Sequence, residues 1–336
     1  MAYKVSILIP VYGVEQYIER CARSLFEQSY PKLEYVFVDD FTPDKSIEVL
    51  RQVIEDYPER KAFVKIINHE KNCGLAAARN TALDNATGDF VFHVDSDDWV
   101  ETNAIELLVR KQIETNADMV SGNAVFHQVD GIWHYYEPTY ADNKQMVMRL
   151  IDCSIPYNHS VWRRIIRRSL YEQNHVRAII GNNVGEDLYQ MVLLSWFAKR
   201  IGNVNDFVYH YERRNVDSMT HLWSENQNVN ERQLLGNWFE VCGFLADKER
   251  DCYEEALRQT LVSLRKCLSY SVKNKERDTF HLLVEMMDGN ADVVRLMGWE
   301  RTVIRGRCKR NFFLQRIEHQ GKRMVRFVRR KWGEHS

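Results

Sequence analysis

The sequence lacks several features that would assign a protein to a class at sight. Its seven cysteines are odd in number, widely spaced and form no CxxC pair, which favours reduced thiols in a cytosolic protein over disulfides or a zinc site. No apolar stretch approaches the roughly 18 to 20 residues that a membrane-spanning helix needs. Residues 1–13 contain a short apolar run without a small-residue cleavage site, so they predict a first strand rather than a signal peptide.

Two glycine-rich phosphate-binding motifs are missing as well. No G-x-G-x-x-G follows the first predicted strand, which excludes the dinucleotide-binding fingerprint. The chain also has no G-x-x-x-x-G-K-[ST] loop. We therefore expect any bound nucleotide to be held by carboxylates, a metal ion and side chains, rather than by a glycine-rich cradle.

Charged residues nearly balance over the whole chain but are unevenly distributed. The 336 residues are 45% hydrophobic, enough for a sizeable core, and their net charge is −1. Residues 301–336 hold 12 Lys and Arg against two Glu, a net charge of +10, so residues 1–300 carry −11. Apolar residues recur at helical spacing in this basic tail (Phe313, Ile317, Met324, Val328 and Trp332). The pattern fits an anionic membrane surface, packing on an acidic protein body, or nucleic acid.

Strand and helix patterns alternate through the first hundred residues. A near-continuous apolar run at 5–12 is typical of a strand that is covered on both faces, and the segments 33–40 and 62–68 predict a second and a third strand. Between them, apolar residues recur at three- and four-residue spacing, as on one face of a helix. The alternation predicts an α/β fold with a parallel sheet and right-handed crossovers.

Acidic side chains cluster where two predicted strands end, and ligands of parallel sheets bind at that edge. The second strand ends in Asp39 and Asp40, and the fourth, FVFHV, runs directly into Asp95, Asp97 and Asp98. Carboxylates at i and i+2 can bind one hard cation such as Mg²⁺ or Mn²⁺, which also offsets their mutual repulsion. A solvated acidic turn is the alternative, but the second acidic strand end favours a metal site.

Two segments carry a family resemblance: VSILIPVYGVEQYIERCARSLFEQSYPKLEYVFVDDFTPDKS and NCGLAAARNTALDNATGDFVFHVDSDDWV. They closely resemble glycosyltransferase family 2, whose nucleotide-sugar domain has the GT-A fold, a Rossmann-like mixed sheet flanked by helices. The resemblance is strong over 4–100 and continues more weakly to about 220. The resemblance implies one GT-A domain over residues 1–220, with a nucleotide-binding half (1–100) and an acceptor-binding half (101–220). A helical extension (221–300) and the basic tail (301–336) would follow this domain.

The resemblance also implies roles for residues at matching positions. Asp40 would contact the uracil or ribose with Asp39 in support, and the other nucleotide contacts would be Pro10, Val11, Tyr12, Arg79, Asp95 and Ser96. Asp97 would bind the metal directly, while Asp95 would face the ribose or reach the metal through water. Asp98 would orient the site or meet the acceptor. The family commonly has Gly-Ser after the second acidic pair, so Phe41-Thr42 predicts a differently shaped nucleoside loop.

A further acidic pair, Glu186 and Asp187, follows a glycine-rich turn and precedes an apolar helix. Acids at helix starts are common, because their charge suits the helix N-terminus. The pair also matches the family's ED motif, whose aspartate is the catalytic base in inverting members. The resemblance therefore implies that Asp187 accepts the proton of the attacking hydroxyl, with Glu186 as an accessory.

Two weaker candidates lie in the acceptor-binding half. Trp162 matches a family position for an aromatic near the acceptor, and a buried core tryptophan fits the pattern equally well. His210 is a candidate for a further metal ligand, although a lone histidine in an aromatic strand is more often structural.

Together these features predict an inverting hexosyltransferase that uses Mn²⁺ or Mg²⁺ and a nucleotide sugar, with UDP-linked donors favoured. The resemblance implies a lipid-linked or polysaccharide acceptor in surface glycan assembly. It ranks an anionic membrane surface first for the basic tail, self-docking second and nucleic acid last. We accordingly expect a cytoplasmic protein, peripheral at the inner face of the membrane.

Two other functions fit the sequence less well. A nucleotidyltransferase usually has a basic, glycine-rich loop after the first strand, and PVYGVEQY has neither Lys nor Arg. An inactive, membrane-bound scaffold of the same fold is disfavoured because both acidic motifs are present. The sequence leaves open the sugar, the acceptor, the linkage and the oligomeric state, a homo-oligomer included.

Overall fold

The chain divides into two compact units, residues 1–256 and residues 257–336. The computed structural model describes residues 3–215, 218, 227–274, 276–289 and 291–297. The predicted boundary near 220 and the predicted basic tail both lie outside these residues. Among the helices of the described ranges, none combines the length and apolar character that crossing a bilayer requires.

Nine strands and twelve helices are described. The strands are β1 (Val5–Val11), β2 (Leu33–Asp39), β3 (Val64–Asn68), β4 (Phe90–His93), β5 (Trp99–Val100), β6 (Met119–Gln128), β7 (Gly131–Tyr135), β8 (Arg164–Arg167) and β9 (Ile201–Glu212). The helices are α1 (Ile18–Phe26), α2 (Ser46–Glu55), α3 (Pro58–Lys61), α4 (Leu75–Asp84), α5 (Ala104–Thr115), α6 (Asn143–Ile151), α7 (Arg168–Gln173), α8 (Glu186–Phe197), α9 (Gln227–Leu245), α10 (Arg250–Lys273), α11 (Arg277–Gly289) and α12 (Ala291–Met297).

The strands form one mixed sheet in the order β3-β2-β1-β4-β8-β6-β9-β5, with β7 paired to β6. The first four strands are parallel, as the sequence predicts, and β8 adds to β4 in the antiparallel direction. Val11 at the end of β1 lies opposite Asp39 at the end of β2. The carboxyl ends of the parallel strands therefore meet at one edge of the sheet, where their polar residues are brought together.

Burial explains why these segments form strands and helices. All seven residues of β1 are buried, because helices cover both faces of the parallel sheet. One face of α1 packs on that sheet through residues at three- and four-residue spacing (Ile18, Cys21, Ala22, Leu25 and Phe26). Complete burial of a side chain such as Leu25 contributes about 1.5–3 kcal/mol to folding. This packing fixes the sheet edge on which the acidic turns stand.

The described residues 101–215 include a charged cluster that is buried. Arg163 and Arg164, at the start of β8, are fully buried. Arg163 Nη2 donates a hydrogen bond to Glu137 Oε2 at 2.9 Å, and Arg164 Nη2 lies 3.5 Å from Glu137 Oε1. Two buried arginines need such an acid partner, because an uncompensated charge in the interior is strongly destabilising.

Candidate active site

The acidic turn after β4 is anchored through Asp98. This side chain is fully buried, and its two oxygens accept hydrogen bonds from the Tyr209 hydroxyl (2.6 Å) and the Glu212 backbone N–H (2.7 Å). The Tyr209 oxygen in turn accepts the Asp95 backbone N–H at 3.1 Å. Both partners belong to β9, so Asp98 ties the turn to the sheet.

Asp95 and Asp97 are the more accessible acids of this turn. Asp95 Oδ1 accepts a hydrogen bond from Arg79 Nη2 at 2.7 Å, and Asp97 Oδ2 accepts one from Asn215 Nδ2 at 2.9 Å. Burial raises the pKa of Asp95, although the charge of Arg79 opposes that rise. Burial and the neighbouring charge of Asp95 raise the pKa of Asp97 to about 6. Burial therefore disfavours the ionised forms of both Asp95 and Asp97.

Arg79 joins this turn to the second acidic pair. The side chain comes from α4 and is 2% exposed. Besides its bond to Asp95, its Nε lies 3.3 Å from Glu186 Oε1 and 3.8 Å from Asp187 Oδ1. Burial alone would lower the pKa of Arg79, but the three carboxylates raise it well above its usual value. Two motifs that are far apart in the sequence thus share one guanidinium group.

Asp187 sits in the first turn of α8, after Gly185 in the left-handed conformation (φ 73°). Its Oδ2 accepts the Val161 backbone N–H at 3.3 Å. Its Oδ1 is buried and accepts no hydrogen bond from the described residues. Burial and the charge of Asp187 raise the pKa of Glu186 well above its usual value, while Arg79 opposes that rise. Burial therefore disfavours the ionised form of Glu186, whereas Asp187 has a carboxylate oxygen that accepts no hydrogen bond from the described residues.

The loop before α8 is supported by α4 and α9, which the sequence analysis did not foresee. Asn183 Oδ1 accepts the Ala76 backbone N–H at 3.1 Å. From α9, Gln233 Oε1 accepts the Val184 N–H at 3.0 Å, and Asn237 Nδ2 donates to the Val184 carbonyl at 2.9 Å. Polar residues in a helix are usually solvated, so no signal in the sequence distinguishes these two.

The end of β2 differs from the prediction. Asp40 is 3% exposed and holds the loop before α4: its Oδ1 accepts the Cys73 N–H and contacts His69 Nδ1 (2.7 Å), and its Oδ2 accepts the Gly74 N–H. These bonds give Asp40 a positioning role in the fold, and its direct contact with a nucleoside stays a prediction. Asp39 is the partly exposed acid of the two, and one of its oxygens accepts the Thr42 N–H at 2.8 Å.

The ligand atoms of Asp40, His69 and Cys73 lie within 4.8 Å of one another, a cluster that sequence reasoning missed. His69 Nε2 also contacts the Thr81 hydroxyl at 2.9 Å. These contacts connect the end of β2 to α4 and account for the cluster as part of the fold.

The end of β1 is open to solvent at one residue. Pro10 and Val11 are buried, whereas Tyr12 is 50% exposed. Ser96, in the acidic turn, is 5% exposed. Of the predicted nucleotide contacts at these positions, Tyr12 presents the largest accessible surface.

Arg20 of α1 makes a clamp on the acidic turn that the sequence analysis missed. Its Nη2 donates hydrogen bonds to the Asp97 carbonyl oxygen (3.0 Å) and to Glu212 Oε2 (3.1 Å). Its guanidinium lies 3.6 Å from the centre of the Trp99 ring. Burial alone would raise the pKa of Glu212, but hydrogen bonds from Arg214 and Arg20 lower it to about 2. The clamp thus ties the backbone of Asp97 to α1 and to Glu212 at the end of β9.

Two predicted site residues have other contacts. His210 stacks on Trp99, and its ring nitrogens pair with Glu101 Oε1 (2.7 Å) and His127 Nε2 (3.0 Å). Both ring nitrogens have protein partners, which favours the structural alternative for His210 over the metal-ligand role. Trp162 is 4% exposed and stacks on Tyr209 at 4.7 Å between ring centres. This burial favours the core alternative for Trp162 over the acceptor contact.

A mixed sheet with acidic motifs at its strand ends is the arrangement of the GT-A class of fold, and comparisons with known proteins agree. The family model described as glycosyl transferase family 2 matches residues 6–174, half of the chain. The chain therefore belongs to glycosyltransferase family 2, as its motifs predict. Its relatives include glycosyltransferase GlyA of Streptococcus pneumoniae, 31% identical over 278 residues, and the uncharacterized glycosyltransferase EpsJ of Bacillus subtilis, 30% identical over 224 residues.

These alignments cover 77% and 65% of this chain, but only 38% of GlyA and 63% of EpsJ. Among solved structures, Staphylococcus aureus TarS (residues 1–349) has a TM-score of 0.63 at 20% identity, over 95% of this chain and 92% of that one. The mannosyltransferase PcManGT of Pyrobaculum calidifontis, in complex with GDP-Man and Mn²⁺, has a TM-score of 0.55 at 15% identity, over 100% and 89%. These likenesses confirm the predicted GT-A fold.

Proposed function

We propose that this chain is an inverting, metal-dependent hexosyltransferase that moves a sugar from a UDP-linked donor to an acceptor hydroxyl. The observation that carries the proposal is the position of Arg79 between Asp95 and the Glu186–Asp187 pair. A transferase must hold the donor diphosphate and deprotonate the acceptor within a few ångströms of each other. The Arg79 guanidinium lies close to both Asp95, which we assign to the donor side, and Asp187, which we assign to the acceptor hydroxyl.

The charges at the site favour a bound divalent cation. Three carboxylates share the charge of Arg79, which leaves −2 when all are ionised, and Asp97 adds to that excess. Asp95 and Asp97 each have one oxygen bonded to a protein side chain, and the other is available as a hard ligand for Mn²⁺ or Mg²⁺. When bound, such an ion supplies Lewis-acid stabilisation of the departing diphosphate. Asp98 keeps the turn in place by its bonds to β9.

The nucleoside would lie over the ends of β1 and β2. Tyr12 and Asp39 are the accessible residues there, so we assign them the contacts for which Asp40 was first considered. UDP is the preferred nucleotide because TarS, a structural neighbour, has been solved with UDP and with UDP-GlcNAc. PcManGT binds GDP-Man, which makes a guanine nucleotide the comparison to test.

Asp187 is the proposed catalytic base. Its Oδ1 has an unused hydrogen-bonding position, so it can accept the proton of an acceptor hydroxyl. Arg79 stabilises the carboxylate, and the Val161 N–H fixes its orientation through Oδ2. Attack on the sugar from the face opposite the diphosphate would give a product with inverted anomeric configuration.

The acceptor is proposed to be a hydroxyl of a surface polymer or a lipid-linked glycan. Relatives named poly(ribitol-phosphate) beta-glucosyltransferase (Bacillus spizizenii) and cholesterol galactosyltransferase (Borreliella burgdorferi) support a polymer or a lipid as acceptor. Action at the inner face of the membrane, through the basic tail, remains part of the proposal. Liposome flotation of the chain with and without residues 301–336 tests it, and equal flotation would contradict it.

The catalytic proposal is tested by UDP release from a panel of donors (UDP-glucose, UDP-galactose, UDP-GlcNAc and GDP-mannose), with Mn²⁺, Mg²⁺ or EDTA. We expect Asp187→Asn to lower kcat at least about 100-fold, because a general base contributes that much, while UDP affinity is retained. Asp84→Asn is the matched control, since Asp84 is an exposed acid on α4 that pairs with Arg177. Product NMR should show inversion.

Three results would contradict the proposal. Undiminished turnover by Asp187→Asn would remove Asp187 as the base, and a retained anomeric configuration would exclude in-line displacement. Release of pyrophosphate in place of UDP would indicate a nucleotidyltransferase instead.

A further inference from the structure

Phe41 has a backbone conformation that aromatic residues seldom adopt. Its φ is +60°, in the left-handed region that favours glycine. A bulky side chain there is strained, and such strain is typical of residues with a functional role. Phe41 is also the position at which the chain departs from the Gly-Ser pattern of its family.

Hydrogen bonds on either side hold Phe41 in this conformation. The Thr42 N–H donates to Asp39 Oδ1 at 2.8 Å, and the Thr42 hydroxyl donates to Asp44 Oδ1 at 2.7 Å. The Gly13 N–H, from the loop after β1, donates to Thr42 Oγ1 at 2.8 Å. The loop therefore presents the Phe41 side chain in one fixed direction, next to the end of β1.

The ring of Phe41 contributes little to the core. The residue is 60% exposed, and within the described residues no other aromatic ring stacks on it. Tyr12, at the end of the neighbouring strand, is also exposed. Because Val11 and Asp39 are opposite each other in the sheet, these two aromatic residues flank the strand ends where a nucleoside would lie.

We propose that Phe41 forms an aromatic wall of the donor nucleobase subsite, with the base stacked against its ring. The inference rests on the proposed function, since it needs a nucleotide at the ends of β1 and β2. The strained backbone of Phe41 and the exposure of its ring are both accounted for if an aromatic ligand packs on that ring. Stacking of a base on an aromatic side chain is substantial and depends little on which base is present.

The test compares UDP with pyrophosphate, which carries the diphosphate charge without the base. Both are titrated calorimetrically with Mn²⁺ into the wild-type chain and into Phe41→Asn, since asparagine tolerates the left-handed conformation. We expect the Kd for UDP to rise about 5- to 150-fold and the Kd for pyrophosphate to stay unchanged. The thermal midpoint should stay equal or rise because strain is relieved, and Phe41→Tyr should retain UDP affinity.

Phe63→Asn is the matched control, since Phe63 is a 50% exposed phenylalanine. It directly precedes β3 and therefore lies at the amino-terminal end of that strand, away from the carboxyl ends of the strands. This variant should bind UDP like the wild-type chain. Wild-type UDP affinity in Phe41→Asn, or an equal loss of affinity for pyrophosphate, would overturn the inference and leave the proposed function standing. If the wild-type chain binds neither UDP nor GDP, the proposed function fails as well. If Phe41→Asn does not fold, Phe41→Gly replaces it, because glycine adopts this φ freely.

Discussion

Asp97→Asn should make the metal-free protein more stable at neutral pH while it removes metal-dependent nucleotide binding. Asn has the shape of Asp and can still accept the hydrogen bond from Asn215, but it carries no charge. Burial and the charge of Asp95 hold the pKa of Asp97 near 6 in the folded chain, against a usual value of 3.8. The folded protein therefore binds the proton of Asp97 more tightly than the unfolded chain does.

The size and direction of the effect follow from this difference. A shift of about two pKa units corresponds to at most about 3 kcal/mol, at about 1.4 kcal/mol per unit. Solvent screening lowers that figure, because Asp97 is partly exposed. The raised pKa stabilises the folded state fully below about pH 4, and this contribution is lost as the pH rises to about 6. Asp97→Asn should thus match the wild-type chain at pH 4 and exceed it at pH 7.

Urea denaturation in EDTA at several pH values gives the free energy of unfolding of both proteins. We expect their difference to grow between about pH 4 and pH 6 and then to level off. Added UDP and Mn²⁺ at about 100 times Kd should stabilise the wild-type chain by about 2.7 kcal/mol and Asp97→Asn far less. A variant that is less stable at pH 7 without metal, or a difference that is constant with pH, would refute this reasoning.

Two further predictions concern residues around the acidic turn. Arg20→Met should raise the Kd for UDP with Mn²⁺ about tenfold, because a charge-assisted hydrogen bond to the Asp97 carbonyl is lost. Arg20→Lys should recover part of the lost affinity. Arg23→Met changes an arginine one turn further along α1 and should leave the Kd unchanged. Equal calorimetric affinities for Arg20→Met and Arg23→Met would contradict the clamp. Trp162→Ala should lower the free energy of unfolding by about 3–5 kcal/mol, and Trp162→Phe should leave the acceptor KM unchanged. A raised KM in a stable Trp162→Phe protein would restore the acceptor role.

The first hundred residues are predictable from the sequence because the spacing of their apolar residues reflects which residues are buried. The seven buried residues of β1 produce the continuous apolar run, and the stripe of α1 is its contact with the sheet. Parallel topology then places the strand ends at one edge, so the acidic turn could be located without the structure. The sequence after residue 100 gives weaker signals. Arg163 and Arg164 look like surface residues, and their burial depends on Glu137 from another part of the chain.

The roles of adjacent acids could not be derived from the sequence. Asp97 and Asp98 are chemically equal neighbours, and only the bonds from Tyr209 and Glu212 make Asp98 the anchor. Similarly, Asp40 is turned toward the loop before α4 by backbone N–H groups, whose position depends on the tertiary fold. Sequence patterns locate an acidic cluster, whereas partners from distant segments decide which member faces a ligand.

Two side chains of α9 bond to the backbone of Val184 and thereby control the position of the loop before α8. The family model ends at residue 174, before the loop that carries Asp187 and before α9. Substitution of Gln233 or Asn237 would shift the backbone at Val184 without altering any carboxylate. A substitution in α9, outside the segment that the family model matches, would then move the loop before α8 while the acidic turn after β4 keeps its own contacts.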